Sequence, residues 1–177
     1  MGKVGTGWSR FAPLAVLALW VLSACATLQQ YEAAGDIRAF LLAIRDTDQA
    51  AFDAHIDRPA LKAQIRERLI AYVMQRKDTG GLAVLGAALA GPIADYAVDH
   101  LAQPQVFLAV AEAEGYSPDQ PVPAAAFLAP LIKPIDGERA CISQKAGGPC
   151  LLVFRKEDGA WKLIAFEGDP GMLKLKL

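Results

Sequence analysis

The chain of 177 residues is poor in the residue types that build most metal sites and nucleophilic catalytic sites. It has two histidines and three cysteines, and it contains neither an HxxxH nor a CxxC spacing. It also lacks a GxSxG nucleophile motif, a phosphate-binding glycine loop, and the glycine and terminal glutamate of a calcium loop. The sequence therefore predicts a non-enzyme that has no metal, no cofactor and no catalytic residues.

A surplus of positive charge is missing as well. Eighteen lysines and arginines stand against 19 aspartates and glutamates, which gives a net charge of −1. Because a protein binds a phosphate backbone mainly through excess basic side chains, we expect no nucleic-acid partner. Apolar residues make up 54% of the chain and charged residues 21%, which is typical of a globular domain with a buried core.

The first 24 residues have the organisation of a signal peptide. Lys3 and Arg10 form a short positive region, and no acidic residue occurs before Glu32. An almost wholly apolar run follows over residues 11–22, which is shorter than a comfortable bilayer span. We therefore expect residues 1–24 to be a cleaved signal peptide, and an uncleaved N-terminal membrane anchor is the alternative.

The end of this run carries the string Leu22-Ser23-Ala24-Cys25. It resembles the lipobox of bacterial lipoproteins, in which the cysteine is acylated and becomes the first residue. The resemblance implies a protein attached to the membrane by acyl chains, such as palmitate, on Cys25, because several chains anchor far more firmly than one. Residue 26 is Ala26 and not an acidic residue, which by the sorting rules of enteric bacteria favours the outer membrane, facing the periplasm, over the inner one.

Two cysteines remain after such processing, Cys141 and Cys150. In an oxidising periplasm they could form a disulfide that closes a short ring. Two free buried thiols are the alternative, since cysteine often serves as a small core residue. The sequence leaves both open.

Helical periodicity dominates the first half of the mature part. One apolar stripe is formed by Ile37, Phe40, Leu41 and Ile44 at helical spacing. A lipidated tether is predicted over residues 25–34, followed by a single domain over 35–170. Its predicted helices cover residues 36–45, a short stretch after 46–48, and residues 59–76, 82–101 and 105–114.

The helix predicted over 82–101 is the most apolar part of the mature chain. Its small residues Gly86 and Gly91 allow another helix to approach closely. A membrane span is one interpretation, but Pro92 and Asp95 interrupt the apolar run. A buried helix that includes Tyr96 in the core is the preferred interpretation, and a face that lines acyl chains or forms an oligomer is the alternative.

The C-terminal part changes to strand periodicity. An irregular connection is predicted over 117–134, which contains five prolines, and strands are predicted over 139–145, 150–156 and 161–167. Trp161 is expected in the core. The predicted fold class is α+β, with a helical N-terminal half packed on a small C-terminal antiparallel sheet.

Three segments in order resemble an uncharacterised bacterial family, the domain of unknown function numbered 2939. They are IRDTDQAAFDAHIDRPALKAQIRERL at 44–69, GAALAGPIADYAVDHLAQP at 86–104 and LLVFRKEDGAWKL at 151–163. The resemblance covers about residues 35–167, and Gln103 departs from it where the family tends to have threonine. The order of helices and sheet is also similar to the cone fold of nuclear transport factor two. Neither resemblance implies an activity.

Two histidines and three aspartates are the remaining polar candidates for a site. Each lies where a helix end or a solvent-facing position explains it without catalysis. They are His55, His100, Asp46, Asp48 and Asp53. We therefore expect a membrane-tethered module that binds a small apolar ligand between the helix at 82–101 and the sheet. The alternative is a structural or accessory envelope lipoprotein that docks a protein partner.

Overall fold

The computed structural model describes residues 12–75 and 80–167, with side chains described for 27–75 and 84–167. Its helices are α1 (Ala12–Arg45), α2 (Gln49–Ala54), α3 (Arg58–Gln75), α4 (Gly80–Leu101), α5 (Pro104–Ala113) and α6 (Ala125–Leu128). Its strands are β1 (Ile132–Pro134), β2 (Arg139–Ser143), β3 (Cys150–Glu157) and β4 (Ala160–Phe166). The α+β class is confirmed.

Parts of the predicted leader and of the predicted domain end lie outside the described residues. These are residues 1–11, which include Lys3 and Arg10, and residues 168–170. The string from Leu22 through Ser23 and Ala24 to Cys25 lies within α1, where only the backbone is described.

The four strands form one antiparallel sheet in the order β1-β2-β3-β4. In the β3–β4 register Val153 pairs with Ala165 and Phe154 pairs with Leu163, so Ile164 is an extra residue. Val153 and Phe154 are consecutive on β3, so their side chains point to opposite faces of the sheet, and both are buried. Phe154 belongs to the main core cluster together with residues of α1, and Val153 does not. The sequence pattern predicted only Phe154 for the core face.

Helix α1 packs across this sheet and forms the centre of the core. The predicted stripe is confirmed: Ile37, Phe40 and Ile44 are buried, and Leu41 is half-buried. Trp161 is fully buried, and its backbone N–H donates to the Asp36 carboxylate at 2.8 Å. Helix α1 therefore lies against β4, and it also contacts β1.

The folded domain begins earlier than residue 35. Gln29 donates to the carbonyl of Asp136 at 2.7 Å, and Gln30 donates to the carbonyl of Ile132 at 2.9 Å. Ala33 and Ala34 are fully buried. Residues 29–34, predicted as tether, thus lie within α1, and Ala33 and Ala34 belong to the core because their small side chains allow the helix to lie close to its neighbours.

The connection over 117–134 contains three short elements that the sequence pattern did not predict. They are helix α6, a 3-10 helix over Ala129–Leu131 and strand β1, and Leu128 and Ile132 within them are buried. Strand β1 pairs with β2, with Ile132 opposite Ile142. Pro134 ends a strand at the edge of the sheet, a position that tolerates proline.

Helices α3 and α4 form a hairpin. Gly86 lies against the Val73 side chain, and Gly91 lies against the Arg66 side chain. Ala90, Ala94 and Val98 of α4 are buried, but Tyr96 is 68% exposed.

The predictions that α4 is a wholly buried helix and that Tyr96 is a core residue are therefore wrong. The residues of α4 that approach α3 are small, and the large apolar ones point away from it. Within the described part of the chain, no helix has the length and apolarity to cross a bilayer.

A disulfide joins Cys141 of β2 to Cys150 of β3, with 5.6 Å between their Cα atoms. It encloses the connection between these two strands. Gly147 in this connection has a φ of 72°, a conformation that glycine adopts at little cost. The disulfide lies next to an irregularity in the β2–β3 pairing, where Ser143 is paired with Cys150.

Candidate ligand-binding cavity

A cavity of about 420 Å³ lies between α1, α5, the segment after α5 and strand β3. Twelve residues line it: Phe40, Leu41, Ile44, Arg45, Phe107, Val110, Ala111, Glu114, Tyr116, Val122, Pro123 and Leu152. None of these described lining residues belongs to α4. This cavity is therefore a different site from the pocket predicted between the helix at 82–101 and the sheet, which stays a prediction.

Helical spacing explains the two longest walls. On α5, Val110 and Ala111 lie three and four residues after Phe107, so all three share one face of the helix. On α1, Leu41 and Ile44 share a face in the same way. Two apolar faces thus stand opposite each other and leave a gap between them.

Phenylalanine rings form one end of the cavity. The ring of Phe40 lies 5.9 Å from that of Phe107 and 6.0 Å from that of Phe154, both in edge-to-face geometry. Phe52 lies 5.3 Å from Phe40 and 5.2 Å from Phe107. Edge-to-face pairs at these distances stabilise a fixed arrangement, so this end of the cavity is a rigid apolar surface.

The segment after α5 forms another wall because the helix ends sharply. Gly115 has a φ of 95°, and the N–H of Tyr116 donates to the carbonyl of Ala111 at 2.9 Å. This is the left-handed termination that favours glycine. It turns the chain back so that Val122 and Pro123 close the cavity.

Charged side chains lie at only two places in the lining. Arg45 donates from Nε to Asp46 Oδ1 at 2.7 Å and from a terminal nitrogen to Oδ2 at 3.0 Å. This hydrogen bonding lowers the pKa of the Asp46 carboxyl. The exposed Glu114 makes no ion pair with the described side chains. The Arg45 charge is thus balanced by Asp46, and Glu114 leaves a net negative rim.

The other polar candidates from the sequence do not meet in this cavity. Asp48 caps α2 by accepting from the Ala51 N–H at 3.0 Å. Asp53 accepts from Arg58 at 2.6 Å. The ring of His100 lies tilted against that of Tyr96, with 4.2 Å between the ring centres.

His55 approaches the carbonyl of Trp161 with its Nδ1 at 3.3 Å. Over residues 27–75 and 84–167, no three histidine, cysteine, aspartate or glutamate side chains lie close enough together to hold a metal ion. The candidates are thus distributed over separate helix ends.

Sequence reasoning predicted α5 but did not assign a role to its apolar face. The spacing of Phe107, Val110 and Ala111 was a usable signal for one wall. No comparable signal marks Val122 and Pro123, because their position depends on the turn at Gly115.

A family model described as a protein of unknown function, DUF2939, matches residues 14–110. The match covers more than half of the 177 residues, so the chain belongs to the DUF2939 family. It includes most of α1 and most of α5, and the third resembling segment at 151–163 lies beyond it. No curated protein and no solved structure matches the chain, so the likeness to the cone fold of nuclear transport factor two stays a prediction.

Proposed function

We propose that this DUF2939 protein binds a small apolar ligand in the cavity between α1 and α5, while an N-terminal lipid holds it at the outer membrane. The cavity is the observation that carries the proposal. Its volume of about 420 Å³ lies within the range of small-molecule sites, roughly 300–1,000 Å³. Most of its lining is aliphatic or aromatic, as such sites usually are.

The open side of the cavity favours a ligand over a packing defect. The cavity is partly open to solvent, so a ligand can enter it from outside and its apolar walls are in contact with water when it is empty. A ligand that covers Phe107, Val110 and Leu152 would remove their apolar surface from water.

The lipid anchor is supported by the order of features at the N-terminus. Positive charge, a short apolar run, small residues and Cys25 follow one another as lipoprotein export requires. Alkyne-palmitate labelling of cells that express the full chain tests the anchor. We expect label on the wild type and on Cys141→Ser, and none on Cys25→Ser. A membrane-bound Cys25→Ser product of the same size as the wild type would contradict it.

The location at the outer membrane is tested by one substitution. Ala26→Asp introduces an acidic residue after the cysteine, and the enteric sorting rule then predicts retention at the inner membrane. Sucrose-gradient separation of the two membranes measures the change. Equal distribution of wild type and variant would contradict outer-membrane sorting.

Native mass spectrometry tests the ligand. The chain from Ala26 onward keeps every described side-chain contact and is exported to the periplasm without its lipid. We expect a reproducible added mass of lipid or metabolite size, which organic extraction removes. A bare chain mass, together with no uptake of a fluorescent lipid analogue, would contradict ligand binding.

The second candidate is an accessory envelope protein that docks another protein. The exposed side chains of Leu89, Ile93 and Tyr96 on α4 favour it. It predicts cross-links to one partner in intact cells and no added mass in the cavity. We propose no catalytic role and no cofactor for either candidate.

A further inference from the structure

Helix α4 presents large apolar side chains to solvent. We call the α4 face the set formed by Leu85, Ala88, Leu89, Pro92, Ile93 and Tyr96, all of which are exposed. The exposed fractions of Leu85, Leu89 and Ile93 are 60%, 56% and 51%. The face is therefore continuous over three helical turns.

This arrangement is the reverse of an ordinary surface helix. A helix packed on one side normally turns polar residues to water. Here the residues toward α3 are the small Ala90 and Ala94, with Gly86 and Gly91 beside them, and the large apolar ones lie outside. The α4 face thus has the composition of a buried surface.

The size of the α4 face suits a protein interface. From their exposed fractions, its side chains present on the order of 600 Å² to solvent. A standard interface buries about 800 Å² on each partner, and neighbouring side chains at the edge add to such a core. One helix face of this size is enough for the centre of a dimer.

The spacing of the α4 face makes it complementary to itself. Leu85, Leu89, Pro92 and Tyr96 alternate steps of four and three residues, as in the seam of paired helices. In an antiparallel pair centred between positions 90 and 91, Leu85 meets Tyr96 of the other copy and Leu89 meets Pro92. Ala88 and Ile93 flank this seam on its two sides.

Charge favours the antiparallel direction. Residues 85–94 contain no charged residue, and the acidic end of α4 holds Asp95 and Asp99 near Lys62, with Lys62 Nζ 2.9 Å from Asp99. A parallel pair would place the two acidic ends side by side. An antiparallel pair places them at opposite ends and also opposes the helix dipoles.

Charge also disfavours a membrane surface as the occupant. Interfacial helices usually border their apolar face with lysine and arginine, which attract anionic lipids. The α4 face is bordered by two acidic and two basic side chains, so its border carries no surplus of positive charge. They are Asp95, Asp99, Lys62 and Arg66, and Lys62 is held between the two aspartates.

We propose that a second copy of this chain covers the α4 face, through antiparallel pairing of α4 with α4. The symmetry is twofold, so each copy contributes the same six side chains. The proposal does not depend on a ligand in the cavity, because no residue of the α4 face lines it.

Opposite charges introduced at positions 85 and 96 test which residues meet in the α4–α4 pair, in the full chain in intact cells. Leu85→Lys alone and Tyr96→Glu alone each place a charge against an apolar residue of the other copy. We expect each to reduce the yield of cross-linked dimer by about tenfold. The double variant restores Lys–Glu pairs across the twofold axis, and we expect its yield to return within about threefold of the wild type. Positions 85 and 96 are 11 residues apart on one helix, so no contact within a copy can produce this rescue.

The dimer is trapped by Leu89→Cys and a short bismaleimide. Ala109→Cys on the exposed side of α5 is the matched control, and we expect a product of twice the chain mass only from Leu89→Cys. Products with a different protein, products with lipid, or no product at Leu89→Cys would each overturn self-pairing. Failure of the double variant to recover would overturn the antiparallel register. Circular dichroism of every variant checks that the fold is retained.

Discussion

The carboxylate of Asp57 connects α3 to the sheet through Arg155. Its Oδ2 lies 2.7 Å from a guanidinium nitrogen of Arg155, 98 residues further along the chain. Its Oδ1 accepts from the backbone N–H of Ala60 at 2.9 Å and so caps the first turn of α3. The Asp57 side chain is only 11% exposed, which reduces the competition from water.

Substitutions at Asp57 separate these two contributions. Asp57→Asn keeps an oxygen for the cap and loses the charge, so we expect a loss of about 1 kcal/mol because Arg155 is partly exposed. Asp57→Ala loses both, and we expect about 2 kcal/mol. Urea unfolding measures the difference. Asp158→Asn at a fully exposed turn is the control, and equal losses for both Asp57 variants would mean that the cap contributes nothing.

Stability toward acid should depend on Asp136. Backbone hydrogen bonds from Glu138 and the side-chain hydrogen bond from Arg139 hold the pKa of this carboxyl below its ordinary value. A carboxyl whose pKa is lower when folded stabilises the fold above its unfolded pKa, and loses this effect as the pH falls through the folded pKa.

Asp136→Asn should therefore be less stable than the wild type at pH 7. The difference should shrink as the pH falls below about 4 and disappear once the wild-type carboxyl is protonated. Urea unfolding at several pH values measures it. A difference that stays constant down to pH 2 would show that the charge of Asp136 is not responsible.

Filling the cavity should abolish ligand uptake without unfolding the protein. Ala111 lines the cavity, and Ala111→Phe puts a ring into it. Ala109→Phe on the exposed side of the same helix is the matched control. We expect loss of the fluorescent lipid analogue signal by at least about tenfold in the first variant only. Equal binding by both variants would place the ligand elsewhere.

The charge at the rim predicts which ligands are preferred. Arg45 is neutralised by Asp46, whereas Glu114 has no described cationic partner. At equal chain length we expect decylamine and decanol to bind more tightly than decanoate, by roughly three- to tenfold.

Removing the rim charge should reduce that preference. Glu114→Gln should bring the three affinities closer together, and Glu112→Gln, which lies outside the lining, should leave them unchanged. Competition against a bound fluorescent analogue measures the order. Tighter binding of decanoate would show that Arg45 is free to receive an anion.

The disulfide between Cys141 and Cys150 should stabilise the β2–β3 hairpin. The two residues are nine positions apart, and closing a loop of that size contributes about 2–3 kcal/mol by restricting the unfolded chain. A reductant should therefore lower the unfolding midpoint of the wild type. The double variant Cys141→Ala/Cys150→Ala should start lower and not respond. An unchanged wild-type midpoint, with the bond shown by mass to be reduced, would contradict this.

The sequence pattern predicted the elements whose apolar residues repeat along one helix face. Phe40 and Ile44 on α1 are the clearest cases, because spacing alone places them together. Tyr96 shows what hydrophobic periodicity cannot predict. Periodicity identifies an apolar face of a helix, but it does not tell whether that face packs on the core of the same chain or remains exposed.

The cavity was harder to predict because it is a space between elements. Its position depends on how α5 ends at Gly115 and how far Val122 then returns toward α1. Strand β1 was missed for a related reason: three residues are too few to show alternation, and their pairing with β2 is a long-range contact. Membership of a family of unknown function does not give the distances between α1, α5 and Val122 that define the cavity.

The continuity of α1 has a mechanical consequence for an anchored protein. Cys25 and Gln29 lie one helical turn apart, about 6 Å along the axis. An acyl group on Cys25 would then be attached to a rigid helix rather than to a flexible linker, and the helix would fix which side of the domain faces the lipid. Inserting one residue after Ala26 would swing the attachment point by about 100° around the helix axis and turn the cavity mouth relative to the bilayer by the same angle.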